Sequence, residues 1–229
     1  PLTAAGVSKR RDGWSVTGIR SLQHSSNFSC DPRGSKRFLL DPHFHLNFNL
    51  KWKGRTMIKT KHLHLRPVER RHVEAFLRGR AELAALLQVS LPQNWPHFPA
   101  ALAVLPGSSG EAGPSGWEGY FFIQPQERVL VGNGGFKGPP DETGTVEIGY
   151  EIATEYWNRG FATEAARGLI EYAFAHPEVQ SVIAHTLAEK NASTSVLQKV
   201  GMRFVAEVAD PGEGTIWRWQ ISRAPASPA

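Results

Sequence analysis

Residues 145–164, Thr-Val-Glu-Ile-Gly-Tyr-Glu-Ile-Ala-Thr-Glu-Tyr-Trp-Asn-Arg-Gly-Phe-Ala-Thr-Glu, decide the fold that this chain is expected to adopt. The first half alternates apolar residues with Glu or Gly, which is typical of a β-strand with one buried face. The apolar positions are Val146, Ile148, Tyr150 and Ile152. A loop over 157–162 follows and leads into a helix. Because the first N–H groups of a helix have no partner within it, we expect this element to bind an anion, such as the pyrophosphate of a large cofactor.

The rest of the chain alternates predicted strands with predicted helices, which indicates an α/β domain. The helix after Gly160 is strongly amphipathic and ends at His176-Pro177, and a second helix begins at Asn191 and stops at Gly201. Two earlier helices are expected, one opened by Pro67 at its first turn and one over 82–89, with a further turn or two at 98–105. Strands are predicted at 62–66, 117–124, 128–136, 146–152, 181–187, 202–208 and 215–221.

Composition sets the class of protein. The chain has 229 residues and 41% hydrophobic residues, which is enough for a packed core, and it has a single cysteine, Cys30. A disulfide framework and a cysteine-built zinc site within one chain are therefore excluded. No run approaches the ~18 apolar residues of a membrane span, and no secretory signal is evident, so a cytoplasmic protein without a membrane partner is expected.

The positive charge is concentrated in the first quarter of the chain. Residues 1–56 hold 10 of the 26 Lys and Arg residues but only 3 of the 21 Asp and Glu residues, so this segment carries +7 and the remainder −2. Nucleic-acid binding is therefore not expected for 57–229. We expect 1–56 to be an irregular, non-catalytic extension. Either Met57 is the natural initiator and 1–56 is an upstream extension, or 1–56 is a genuine basic arm. Residues 57–222 would form the domain and 223–229 a disordered tail.

Glycine-rich nucleotide motifs are absent. No Gly-x-x-x-x-Gly-Lys-Ser/Thr occurs, and no Gly-x-Gly-x-x-Gly opens a helix. The glycines Gly132, Gly134 and Gly135 lie in a predicted strand, where they indicate a bulge or a close approach of two backbones.

Four segments, in this order, resemble the GNAT acyltransferase superfamily. They are Val-Glu-Ile-Gly-Tyr-Glu-Ile at 146–152, Tyr-Trp-Asn-Arg-Gly-Phe-Ala-Thr-Glu-Ala at 156–165, Asn-Ala-Ser-Thr at 191–194 and Leu-Gln-Lys-Val-Gly-Met at 197–202. The resemblance covers nearly all of 59–221. Within the superfamily the chain is most similar to the ribosomal-protein N-terminal (alanine) acetyltransferase branch, because 60–66, Thr-Lys-His-Leu-His-Leu-Arg, matches the opening pattern of that branch.

This resemblance implies a fold and an activity. The fold would be a mixed, mostly antiparallel sheet of about seven strands flanked by helices. The activity would be transfer of an acetyl group from acetyl-CoA to a primary amine, by direct attack in a ternary complex and without a metal. The acceptor would be a protein N-terminal amine or a small-molecule amine. Nothing in the sequence defines the acceptor or the oligomeric state, which could be a monomer or a homodimer.

The resemblance also implies which residues act. Glu147 would be the general base, directly or through water, because it shares a strand face with Gly149, across which the cofactor would lie; Glu151 is the second candidate. Asn191 would bind the pantetheine arm and Ser193 would be the general acid. Each has an alternative: Glu147 as a structural or acceptor-positioning carboxylate, Asn191 and Ser193 as ordinary helix caps, and solvent as the acid.

The remaining implied contacts are with the cofactor. A backbone N–H near Ile152 or Ala153 would stabilise the thioester oxygen. The loop residues implied to bind the pyrophosphate are Trp157, Asn158, Arg159, Gly160, Phe161, Ala162 and Thr163. The family pattern has Arg or Gln where this chain has Trp157, so the grip is expected to come from the backbone. His185 is interpreted as a buried structural histidine, with a catalytic histidine as the alternative. The alternative function is a non-catalytic domain that binds acyl-CoA, or one that associates with the ribosome or RNA.

Overall fold

A computed structural model of the chain describes residues 51–52, 55–96 and 116–224. The strands are β1 (Lys51–Trp52), β2 (Arg55–Thr56), β3 (Ile58–Lys59), β4 (His64–Pro67), β5 (Gly119–Gln124), β6 (Val129–Phe136), β7 (Thr145–Ile152), β8 (Ser181–Leu187), β9 (Arg203–Asp210) and β10 (Gly214–Ser222). The helices are α1 (Arg70–Arg78), α2 (Arg80–Leu87), α3 (Phe161–Phe174) and α4 (Ala192–Lys199), with a 3₁₀ turn at Thr154–Tyr156. The predicted turn of helix at 98–105 and nearly all of the 1–56 extension lie outside the described residues.

Eight of the strands form one sheet in the order β3-β4-β5-β6-β7-β8-β10-β9, and β1 and β2 form a separate hairpin. Every neighbouring pair in the large sheet is antiparallel except β7 and β8, which are parallel. This confirms the predicted mixed, mostly antiparallel sheet. The strand beyond the seven predicted ones is β3, which has only two residues and therefore too little alternation to reveal it.

The two faces of the sheet are covered by different helices. On one face, Val146, Ile148 and Tyr150 of β7 pack in one cluster with Leu169 of α3 and Leu197 of α4. On the other face, side chains of β5 and β6 pack with α1 and α2 in a second cluster. The second cluster includes Val73, Leu83, Phe121, Ile123 and Leu130. Odd-numbered residues of β7 therefore face the α1–α2 side, and Tyr150 faces the α3–α4 core as expected.

The glycines of β6 confirm the expected close backbone approach. A Cβ at Gly132 would lie 2.1 Å from the carbonyl oxygen of Glu151, and a Cβ at Gly134 would lie 2.3 Å from that of Gly149. The ladder between β5 and β6 also shifts register between Phe122 and Ile123, as a bulge does.

The predicted start of the first helix is wrong. Pro67 does not open a helix: it is the last residue of β4, opposite Tyr120 of β5, and α1 begins at Arg70 after the cap Glu69. A proline is tolerated there because its nitrogen points away from β5: the next N–H, that of Val68, donates to the Gly119 carbonyl at 2.8 Å and continues the ladder.

Arg223, the first residue of the predicted tail, is among the described residues. The guanidinium of Arg223 donates hydrogen bonds to the carbonyl oxygens of Val179, Phe174 and His176 at 2.7–2.8 Å. The backbone N–H of Arg223 donates to the carbonyl oxygen of Gln180. Within the part of the chain described here, no helix is long and apolar enough to cross a membrane.

Candidate active site

The parallel strands β7 and β8 separate halfway along their length. Their register pairs stop at Thr145↔Ser181, Val146↔Val182 and Glu147↔Ile183. Both strands continue well past that point, to Ile152 and Leu187. The sheet therefore contains an opening flanked by 148–152 on one side and 184–187 on the other.

The backbone of β7 directs one set of N–H groups into this opening. Lys137 N–H donates to the Glu147 carbonyl and Ala153 N–H donates to the Val131 carbonyl, both at 2.9 Å. Since N–H groups alternate sides along a strand, odd-numbered residues face β6 and Ile152 faces β8. Of the two predicted oxyanion donors, Ala153 is thus already bonded to β6, and Ile152 points toward the opening.

Trp157 anchors the loop that follows β7. Its indole Nε1 donates a hydrogen bond of 2.7 Å to the carbonyl oxygen of Ile152. The side chain that departs from the family pattern therefore binds the protein's own strand end. This contact fixes the start of the loop and leaves the loop backbone to contact a ligand.

The loop reaches α3 through two residues in the left-handed region. Asn158 has φ 60° and Gly160 has φ 81°. A Cβ at Gly160 would meet no atom within 4 Å, so glycine is required there by backbone conformation and not by space. Asn is one of the few other residues that adopt this conformation readily.

The first turn of α3 is open. Gly160 is the N-cap and supplies no side-chain cap, and the first intrahelical bond runs from Glu164 N–H to the Gly160 carbonyl. The N–H groups of Phe161, Ala162 and Thr163 precede this bond and have no hydrogen-bond acceptor among the described residues. Three unpaired donors and the positive end of the helix dipole are the features by which a helix N-terminus attracts an anion.

Three basic side chains line a cavity beside this helix N-terminus. Lys61, Arg167 and Lys199 border it together with Gly160 and Thr163. Within the described ranges none of the three forms an ion pair within 4.0 Å. Their charge is thus available to an anionic ligand.

Glu164 lines the same cavity, but its carboxylate is engaged. It accepts hydrogen bonds from Thr60 Oγ1 at 2.5 Å, from the His62 backbone N–H at 2.6 Å and at His62 Nδ1 at 2.9 Å. Burial alone would raise the pKa of Glu164, but these hydrogen bonds lower it below the ordinary value. Glu164 therefore fastens the β3–β4 turn to α3.

Arg159 lies at the rim of the loop. Its guanidinium is half exposed, stands over the ring of Tyr156 at 5.1 Å, and has Nη1 3.9 Å from Glu127 Oε1. An exposed ion pair of this length contributes little to stability, so Arg159 can exchange Glu127 for a phosphate.

Glu147 lies where β7 and β8 begin to separate, and two donors contact one of its oxygens. Oε1 accepts a hydrogen bond at His185 Nδ1, 2.8 Å away, and forms an ion pair with Lys137 Nζ. Burial by itself would raise the pKa of Glu147, but the His185 hydrogen bond and the charge of Lys137 lower it below the ordinary value. Glu147 is therefore ionised at neutral pH and is a weaker base than an ordinary glutamate.

Glu151, the second candidate base, is less accessible. Its side chain is 3% exposed and it pairs across the ladder with Asn133, which accepts a hydrogen bond from the Trp95 indole. Between Glu147 and Glu151 lies Gly149, where an added Cβ would meet nothing within 4 Å. The open space on this face is thus above Gly149 and next to Glu147.

The two predicted residues of α4 lie at its start. Asn191 is the N-cap: Oδ1 accepts from Thr194 N–H at 3.0 Å, and Thr194 Oγ1 in turn accepts from Asn191 N–H. This confirms the cap role and leaves the Nδ2 amide as the group that could donate to a ligand. Ser193 is buried. Burial raises the pKa of the Tyr150 hydroxyl, and a hydrogen bond between Tyr150 and Ser193 partly offsets that rise.

The sequence did not predict that Lys137 and His185 contact Glu147. Lys137 directly follows β6 and lies opposite Glu147, and His185 lies two residues past the last β7–β8 pair. The alternation of β8 places His185 on the Glu147 face, but the register between the two strands was needed to bring the side chains together. Among the described residues, no group of three or more His, Cys, Asp or Glu side chains is placed to hold a metal.

Comparison with known proteins supports the family that these features suggest. Residues 62–203 match the model of the acetyltransferase (GNAT) domain. An uncharacterized N-acetyltransferase of Bacillus subtilis, YjdG, is 30% identical over 89 residues, which are 39% of this chain and 53% of the relative. The FsC-acetyl coenzyme A-N(2)-transacetylase of Aspergillus fumigatus is 32% identical over 89 residues, or 35% and 37% of the two chains. The chain thus spans about half or less of the length of these curated relatives.

Solved structures share the fold at low sequence identity. The RimJ protein of Mycobacterium smegmatis, in complex with CoA-disulfide, is 19% identical with a TM-score of 0.51, and the match covers 72% of this chain and 85% of RimJ. A chimera of the Vibrio cholerae spermidine N-acetyltransferase SpeG with hSSAT is 16% identical with a TM-score of 0.51, covering 71% and 96%. Because the matched domain model extends over more than half of the residues, this chain belongs to the GNAT acetyltransferase family.

Proposed function

We propose that the chain is an acetyl-CoA-dependent N-acetyltransferase that moves the acetyl group to a primary amine by direct attack in a ternary complex. The observation that carries this proposal is the opening between β7 and β8. The Glu147–His185 pair lies where the two strands separate. The helix that follows β7 begins after Gly160 without a side-chain cap. Residues 57–222 form the catalytic domain in this proposal, and 1–56 are a non-catalytic extension.

The cofactor would be held chiefly by backbone. The N–H groups of 161–163 would bind the pyrophosphate, with Asn158 and Gly160 shaping the loop and Trp157 fixing its start. Lys61, Arg167, Lys199 and Arg159 would supply the opposing charge for the phosphates. Support comes from the open first turn of α3 and from the lack of ion pairs, within the described ranges, at the three cavity cations. Acetyl-CoA would supply the activated acetyl group as a thioester.

The thioester oxygen would be stabilised by the N–H of Ile152. That oxygen gains negative charge as the amine attacks, so a fixed donor aimed at it lowers the barrier. The direction of the Ile152 N–H along β7, and the use of the Ala153 N–H by Val131, support this assignment.

Proton transfer would occur at the same opening. The attacking amine loses a proton to the Glu147–His185 pair, and the departing thiolate gains one. Asn191 Nδ2 would orient the pantetheine arm. Ser193 would be the acid if the arm enters between β7 and α4, because its hydroxyl is buried there; solvent is the other source of that proton.

The acceptor is an amine of a protein N-terminus or of a small molecule. The names of the structural neighbours include both a ribosomal-protein α-N-acetyltransferase, RimL, and a spermidine N-acetyltransferase. Membrane and nucleic-acid partners are not proposed for 57–229.

The test is release of CoA thiol by the full chain with acetyl-CoA and a panel of amines: short peptides with free N-termini, spermidine and free amino acids. We expect acceptor-dependent release with at least one class, a large loss of kcat in Glu147→Gln with unchanged acetyl-CoA affinity, and little effect of the exposed control Glu142→Gln. Tight acetyl-CoA binding without turnover on any acceptor would overturn the proposal in favour of a non-catalytic acyl-CoA-binding domain.

A further inference from the structure

The contact between His185 and Glu147 defines which nitrogen of the imidazole carries the proton. His185 Nδ1 lies 2.8 Å from Glu147 Oε1. An ionised carboxylate only accepts hydrogen bonds, so Nδ1 must be the donor. In the neutral imidazole the other nitrogen, Nε2, then has a free lone pair and can accept a proton. The ion pair with Lys137 on the same oxygen keeps Glu147 ionised.

The position of His185 brings that lone pair to the opening in the sheet. His185 lies two residues beyond the last β7–β8 register pair, Glu147↔Ile183. On β7 the corresponding residue is Gly149, where an added Cβ would meet nothing within 4 Å. The His185 side chain is 14% exposed, and Nε2 is on the edge of the ring away from Glu147. The imidazole therefore borders open space on the face of the sheet where the amine would attack.

We propose that Nε2 of His185 is the atom that takes the proton from the attacking amine, and that Glu147 is a positioning residue that holds the imidazole and stabilises the imidazolium. This inference rests on the proposed function and refines it. The amine nitrogen forms a bond to the thioester carbon, its proton moves to Nε2, and the carbon–sulfur bond breaks. The thiolate then gains a proton, from the imidazolium through water or from another donor, so that an amide and CoA thiol are the products.

The charges around His185 explain why it needs Glu147. Arg218 of β10 is its direct cross-strand partner, and Lys137 bonds the same carboxylate oxygen. Both cations oppose a positive charge on the ring, and Glu147 offsets them. The Glu147 carboxylate already accepts a hydrogen bond from His185 and pairs with Lys137, and both contacts make it a poor proton acceptor. The Nε2 lone pair of His185, which contacts neither cation in this hydrogen-bonding scheme, suits the transfer better.

The kinetic test compares His185→Gln with Glu147→Gln in the full chain, using acetyl-CoA and the best amine of the panel. We expect His185→Gln to lower kcat by about 10²–10⁴-fold, the usual contribution of a general base, with unchanged acetyl-CoA affinity. In a profile of kcat against pH, measured at saturating amine so that ionisation of the free amine does not contribute, the acidic limb disappears in His185→Gln. In Glu147→Gln it persists and moves to lower pH, because the imidazolium has lost its counter-ion. Loss of the limb in Glu147→Gln and its retention in His185→Gln would overturn the proposal.

A second measurement does not depend on turnover. Nitrogen NMR of the chain with labelled histidine, with the His185 signals identified by their loss in His185→Gln, reports which ring nitrogen is protonated. We expect the neutral Nδ1–H form in the wild type and loss of this preference in Glu147→Gln. An Nε2–H form in a chain that transfers acetyl groups would refute the role of His185 alone. An Nδ1–H form in a chain that acetylates no amine would refute the proposed function and, with it, this proton transfer.

Discussion

Replacing Gly160 by alanine should show how far acetyl-CoA binding depends on one backbone conformation. Gly160 has φ 81°, and an added Cβ would touch nothing within 4 Å. The substitution therefore adds no clash, and its whole effect comes from the left-handed backbone.

The size of the effect follows from two opposing contributions. A non-glycine residue in this region costs ~1–2 kcal/mol in the folded state. Alanine also restricts the unfolded chain, which returns ~0.4–1 kcal/mol. We therefore expect a net loss of about 1 kcal/mol, divided between folding and binding. If the loop keeps its conformation, the free energy of unfolding falls; if the loop relaxes, the N–H groups of 161–163 turn away and the Kd for acetyl-CoA rises by about fivefold.

The assay pairs denaturant unfolding with calorimetric titration of acetyl-CoA. The control is Gly212→Ala in the β9–β10 turn, where the nearest atom to an added Cβ is 3.5 Å away, an ordinary contact. The control should leave both quantities nearly unchanged. If Gly160→Ala also changed neither the free energy of unfolding nor the Kd, the conformation of this loop would not matter for either, and the backbone grip would be refuted.

Substitutions at three further positions separate structural from ligand-binding roles. Glu164→Gln should lower the free energy of unfolding by about 1–3 kcal/mol at neutral pH, because the carboxylate anchors Thr60 and His62. Folding lowers the pKa of Glu164. This stability difference should therefore be present at pH values above the pKa of Glu164 in the unfolded chain, and it should vanish as the pH falls through the pKa of Glu164 in the folded chain. Denaturation at several pH values measures it. Asn191→Asp keeps the cap acceptor and should weaken acetyl-CoA binding without loss of stability, whereas Asn191→Ala should also cost about 1 kcal/mol in unfolding experiments. Trp157→Phe removes the hydrogen bond to Ile152 and should cost about 0.5–1.5 kcal/mol, with a weaker acetyl-CoA titration; equal affinity in that variant would argue against a role for the anchor.

Much of the fold followed from local patterns in the sequence. The strand 181–187 and the start of α3 after Gly160 were predicted directly, because alternation and glycine or proline boundaries are local properties. The helix start predicted at Pro67 was wrong for the same reason. An X-Pro step occurs both at helix starts and at strand ends, and the pairing of Pro67 with β5 shows that it is a strand end here.

The site was predictable only in part. The loop, Glu147 and Asn191 belong to recognisable segments, whereas the contact of Glu147 with Lys137 and His185 depends on two ladder registers. The β7 and β8 strands are separated in sequence by α3, so no short pattern contains their register. The role of Trp157 was likewise hidden, because its bond to Ile152 depends on the path of the turn at Thr154–Tyr156.

The most direct test of the central claim is the initial rate of CoA release with acetyl-CoA and the amine both varied. Direct transfer in a ternary complex predicts release that requires the amine and double-reciprocal lines that intersect. Parallel lines would indicate an acetylated enzyme intermediate. That result, or release independent of the amine, would contradict the account of the β7–β8 opening as the place where both substrates meet.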